Sequence, residues 1–160
     1  MTRKEEIEKL VETSAPVFEE TSDKIWEYAE LCYEETQSSA LQKKVLRELG
    51  FSIQEVKNMP TAFIASYGEG HPIVAILGEY DALANLNQEA DCDVHKPMEP
   101  GKPGHGCGHN LLGTASMCAV NAVKNYLQAH NLPGTIRYYG CPAEEGGSAK
   151  TFMVRDGLFK

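Results

Sequence analysis

No apolar run in this chain approaches the roughly 18 residues that a membrane-spanning helix needs, so no helical span is expected. The opening MTRKEEIEKL is charged and lacks the apolar core of an export signal. Basic residues are in deficit: 15 Lys and Arg stand against 23 Asp and Glu, a formal net charge of −8. A nucleic acid or an anionic bilayer selects a basic face, so neither is expected as a partner. The glycine-containing stretches GEGHP and GCGHN fit neither a phosphate-binding loop nor a dinucleotide fingerprint. Internal repeats and low-complexity tracts are also missing. The five cysteines, at 32, 92, 107, 118 and 141, are odd in number. Without an export signal they argue against a disulfide framework and for a cytoplasmic address.

What is present fits one globular domain of 160 residues, with 42% hydrophobic and 24% charged residues. Apolar residues recur at helical spacing between Arg3 and Glu34, with Pro16 expected to kink or break that segment. Ser38 or Ser39 is expected to cap a second helix that Gly50 ends in a left-handed conformation. Cys32 and Cys118, inside helical patterns, read as small core residues. From Phe51 the period changes to strands, near 51–56, 62–67 and 72–77, and the run PIVAIL reads as a central strand. A helix is expected from about Asn110 to His130, a strand over GTIRYYG, and a short helix from near Ser148. Strand, helix and strand in that order imply a parallel pair with a crossover, hence an α/β domain.

Between Gly78 and Gly108 lie about thirty residues without periodicity, far above the usual loop length of roughly five. Loops of that length are functional or disordered. Three clusters border or follow it. GEYDAL, with Glu79 and Asp81, directly follows a predicted strand. GHGCGHN, with His105, Cys107 and His109, opens the crossover helix. CPAEEGG, with Glu144 and Glu145, directly follows the next strand. Open parallel sheets keep their ligand sites at the carboxyl ends of strands, so the clusters are expected to meet.

Thiolate, imidazole and carboxylate together suit zinc and other divalent transition metals. Cys107 and His109, two apart, can face one side of an extended loop. Adjacent Glu144 and Glu145 point different ways, so one can hold metal while the other reaches a water. Each cluster also has an ordinary reading. A Glu-Glu pair is commonly solvated, Asp81 can cap a turn, and HGCGH alone is half of a structural zinc site. A Cys-His nucleophile stays open as well, without an identified orienting group. His71, His95 and His130 read as surface residues. The coincidence of three clusters at one end of the sheet favours metal-assisted hydrolysis.

GEYDAL, GHGCGHNLLGTA and GCPAEEGGSAKTFMVRDG resemble successive blocks of the metallopeptidase family of aminoacylases, N-acyl amino acid amidohydrolases and carboxypeptidases acting on N-acyl glutamates. The likeness runs from the N-terminal helices to Lys160. It implies a zinc-peptidase-like α/β catalytic domain with a largely parallel or mixed sheet flanked by helices. It implies two divalent metal ions, zinc or manganese, with Cys107, His109 and Glu145 as ligands and the cysteine able to bridge. Glu144 becomes the general base, and Asp81 sits by the metal centre and orients it. Glu79 stands where other branches carry a metal-binding histidine and receives no ligand role. The role of His105 stays open.

The implied reaction is hydrolysis of the amide bond in N-acyl or N-aroyl amino acids such as p-aminobenzoyl-glutamate. A dipeptidase of the same family and a non-catalytic metal-binding homologue are the alternatives. Members of the family are several hundred residues long and carry an inserted dimerisation domain. Residues 1–160 are therefore expected to be the N-terminal part of a catalytic domain, incomplete at its C-terminus and inactive alone. Full-length protein is expected as a homo-oligomer or a hetero-oligomer with a related subunit.

Overall fold

The computed structural model describes residues 1–160. Nine elements follow one another: α1 (Arg3–Tyr28), α2 (Thr36–Glu48), β1 (Ser52–Glu55), β2 (Phe63–Glu69), β3 (Ile73–Gly78), α3 (His109–Ala129), β4 (Gly134–Gly140), the short turn α4 (Glu144–Gly147) and α5 (Ala149–Arg155). The strands form one mixed sheet in the order β1-β2-β4-β3. β1 pairs antiparallel with β2, β2 antiparallel with β4, and β3 parallel with β4. The expected β3–α3–β4 crossover is thus present, and the α/β class is as read from the sequence. No helix is long and apolar enough to cross a membrane.

Side chains alternate across the sheet and fill two cores. Phe63 and Ala65 of β2, with Ile136 and Tyr138 of β4, join Phe18, Ile25, Val45, Leu46, Met117 and Val120 from α1, α2 and α3. On the opposite face Ile64 and Tyr139 pack with Ala143, Ala149 and Met153 beneath α5. Burying a side chain such as Phe18 or Ile25 stabilises the fold by about 1.5–3 kcal/mol.

Several local expectations need correction. α1 runs unbroken through Pro16, which lies on the exposed face of the helix, as does Glu12, the residue whose carbonyl a proline there cannot pair. The start of α1 is a capping box: the Thr2 hydroxyl accepts the Glu5 N–H, and the Glu5 carboxylate accepts the Thr2 N–H at 2.7 Å. Cys32 lies in the turn after α1 and not within a helix. Ser38 and Ser39 do not cap α2; both are buried inside it. The cap comes from further back, where the Glu30 carboxylate accepts the N–H groups of Gln37 (2.9 Å) and Ser38 (2.8 Å). Gly50, at φ 90°, ends α2 as expected.

The largest correction concerns PIVAIL. β3 is an edge strand with one partner, and Ile73, Val74 and Leu77 are 44%, 51% and 38% exposed. Its apolar run nevertheless delivers Glu79 and Asp81 to the end of the sheet. There α3 approaches closely: a Cβ on Gly113 would lie 2.3 Å from the Glu79 carbonyl oxygen. Gly113→Ala should therefore cost about 1–3 kcal/mol through overpacking, read as a lower thermal midpoint. A wild-type midpoint would show that α3 does not press on the strand end.

Candidate metal centre

Gly108 supplies the left-handed conformation (φ 75°) from which α3 starts. Gly104 sits so close to Leu86 that a Cβ would meet its carbonyl oxygen at 2.1 Å. These two positions answer for the glycines around Cys107, but the path is not the expected extended one. Cys107 lies exposed in a turn, and His109 is already the first residue of α3.

His109 is buried at the centre of the cluster. Its Nδ1 lies 3.0 Å from Asp81 Oδ1 and 3.2 Å from the Asp81 carbonyl oxygen. The other Asp81 oxygen, Oδ2, accepts the Glu145 N–H at 2.8 Å. Asp81 therefore fixes both the imidazole and the glutamate turn. An imidazole N–H at Nδ1 donates to Asp81 in this geometry. The other ring nitrogen, Nε2, faces Glu79 Oε2 at 3.1 Å, with Glu144 Oε2 and Glu145 Oε1 each 3.9 Å away.

Carboxylates gathered this closely repel one another, and a cation among them relieves that repulsion. Glu79, His109 and Glu144 offer ligand atoms all within 4.8 Å of one another. Glu145 Oε1 is buried and has no hydrogen-bond partner. The Cys107 thiol sits beside Glu145, whose carboxylate pushes its pKa above the usual thiol range, with burial adding to the shift. Against four carboxylates, Glu79, Asp81, Glu144 and Glu145, the one neighbouring ammonium is Lys150, which pairs with Glu79. The nitrogen and oxygen donors of Glu79, His109 and Glu144 fit a divalent transition metal.

Asp81, His109, Glu144 and Glu145 are neighbours, with the Cys107 thiol beside Glu145. Of the expected ligands Cys107, His109 and Glu145, however, only His109 belongs to the group whose atoms could share one ion. Glu79, left without a role by the sequence reading, stands closer to His109 Nε2 than either glutamate of the pair. No local spacing marks Lys150 as its counter-ion; the contact spans 71 positions. His105 turns elsewhere: its Nε2 donates to the Ile25 carbonyl at 3.0 Å and ties the loop to α1, and burial lowers its pKa. Asp91, Asp93 and His95 stay exposed on the outer part of the long loop. His71 is exposed, and the exposed His130 pairs with Glu6 at 2.7 Å.

The chain is 49% identical over 154 residues to a subunit of the p-aminobenzoyl-glutamate hydrolase of Escherichia coli, covering 96% of this chain and 32% of that protein. It is 35% identical over 138 residues to the IAA-amino acid hydrolase ILR1-like 4 of Arabidopsis thaliana, covering 86% of this chain and 30% of that protein. The chain thus spans about a third of the length of these relatives. In three dimensions it matches the Bacillus subtilis YXEP protein, described as a dinuclear metal binding peptidase, with a TM-score of 0.72 at 24% identity. That match covers 99% of this chain and 41% of the YXEP chain. The model of peptidase family M20/M25/M40 matches residues 75–160, the stretch that holds every residue of the cluster. The chain belongs to peptidase family M20/M25/M40.

Proposed function

We propose that residues 1–160 are the N-terminal part of the catalytic domain of a metal-dependent amidohydrolase that cleaves the amide bond of N-acyl or N-aroyl amino acids. The observation that carries this reading is the setting of His109. Asp81 anchors its Nδ1, and its Nε2 is turned to three carboxylates. The names of the two sequence relatives support the substrate class, since each describes hydrolysis of a conjugated amino acid. p-Aminobenzoyl-glutamate is the preferred substrate, and dipeptides are the rival.

In this reading Cys107, His109 and Glu145 hold the metal, and further ligands come from the rest of the protein. Two divalent cations bound there would polarise the amide carbonyl and bring the pKa of a water down to about 7. The thiol of Cys107 favours zinc over manganese. Glu144 is 40% exposed at its side chain, so its carboxylate has access to both water and substrate. It takes a proton from the attacking water as the carbon–oxygen bond forms. It returns that proton to the amine nitrogen as the carbon–nitrogen bond breaks. Asp81 keeps the imidazole in one tautomer and holds the Glu145 backbone in place.

The E. coli relative is named as one subunit of an enzyme, which supports assembly with a related chain or with further copies of this one. Five unpaired cysteines support a cytoplasmic address. Elemental analysis of full-length protein should find about two divalent ions per chain, and fewer on residues 1–160. Hydrolysis across a panel of acyl amino acids and dipeptides should then rank p-aminobenzoyl-glutamate first. Absence of metal after reconstitution with zinc and manganese would sink the reading in favour of a non-catalytic homologue.

A further inference from the structure

The segment joining α1 to α2, residues 29–35, carries none of the groups assigned to the metal centre, yet it touches the glutamate turn at both ends. Glu35 is fully buried, and its Oε1 accepts the Ala143 N–H at 2.7 Å. The Tyr33 hydroxyl donates to the Gly147 carbonyl at 2.7 Å. Gly147 fits so tightly that a Cβ would lie 2.5 Å from the Tyr33 ring and 2.7 Å from Cys32 Sγ. From the same segment the Glu30 carbonyl accepts the Ala82 N–H at 2.8 Å, one residue beyond Asp81.

The turn held in this way is strained. Ala143, directly before Glu144, has φ 55°, and Ser148 has φ 51°; both are left-handed without being glycine. Such residues persist only where their surroundings over-determine them. Glu35 is itself costly to bury. Its Oε2 has no partner, and burial raises its pKa against the pull of nearby backbone N–H groups. A buried carboxyl whose side-chain contact is the N–H of the residue before Glu144 has positioning as its evident use.

We propose that Glu35, assisted by Tyr33, is a positioning residue that clamps the Ala143–Ser148 turn and so aims Glu144 and Glu145 at the metal centre. The catalytic part of this inference rests on the function proposed above; the clamp itself does not.

Glu35→Ala, Glu35→Gln and Tyr33→Phe in full-length protein test it by two readouts. The first is amide hydrogen exchange of residues 141–148 in metal-free protein; the second is kcat and KM. In Glu35→Ala the 141–148 segment should exchange about tenfold faster, while α3 and β2 keep wild-type rates. Its kcat should fall about tenfold with KM within about twofold, because misplacement of the turn acts on the reacting geometry. Glu35→Gln keeps an oxygen for the Ala143 N–H and should restore both readouts. Tyr33→Phe should loosen the Gly147 end alone.

Unchanged exchange at 141–148 in Glu35→Ala overturns the clamp. So does an equal rise across all elements, which would mark a purely structural residue. Failure of Glu35→Gln to restore exchange overturns it too. If wild-type protein hydrolyses nothing on the panel, the catalytic reading fails while the exchange data still decide the clamp.

Discussion

Glu144→Gln in the full-length protein should lower kcat about 10²–10⁴-fold, the usual worth of a positioned general acid–base group. The amide keeps the shape of the carboxylate but offers no oxygen basic enough to take a proton from water. Folding should be unaffected, because Glu144 is exposed and contributes nothing to either core. Metal content is the discriminating measurement. Glu144 Oε2 and Glu145 Oε1 stand at the same 3.9 Å from His109 Nε2, and Glu144 also groups with Glu79 and His109. Loss of turnover with metal retained supports the role of base for Glu144. Loss of both would make Glu144 a ligand, and the glutamate pair would exchange roles. Unchanged turnover would remove it from the mechanism.

His109→Ala should abolish metal retention in elemental analysis, a larger effect than any other single change in the cluster. The imidazole joins the buried Asp81 on one side to the group of carboxylates on the other. Its removal leaves Glu79, Glu144 and Glu145 as mutually repelling charges with Lys150 alone to offset them. Asp81→Asn is the graded version. Both Asp81 oxygens accept, one from His109 and one from the Glu145 N–H. An asparagine supplies one acceptor and turns an NH₂ towards a donor. Loss of such an outer partner commonly costs 10–100-fold in metal affinity. Titration with zinc against a competing chelator would measure both variants, and wild-type affinity in His109→Ala would refute the centre described here.

Much of the architecture was legible because it is written in local periods. Apolar spacing located α1, α2 and α3, alternation located β1, β-prone residues located β2, and the order β3–α3–β4 implied the parallel pair. The location of the site was legible for a related reason: Asp81, Cys107, His109, Glu144 and Glu145 all sit in short stretches at strand ends or at the mouth of α3. Topology alone carries such stretches together. The boundaries that misled, at Pro16 and Ser38, turned on which side of a helix faces water and on a cap reaching in from Glu30.

Amino-acid order alone was enough for the α/β class and for the short polar stretches at the strand ends and the mouth of α3, since each is marked by neighbours within a few positions. The tertiary structure decided that PIVAIL lies at an edge, that Lys150 pairs with Glu79, that His105 turns to α1, and that Glu35 reaches Ala143 across 108 positions. A contact of that range leaves no periodic mark on either partner. A buried Glu35 and an exposed Glu34 look alike until the chain has folded around one of them.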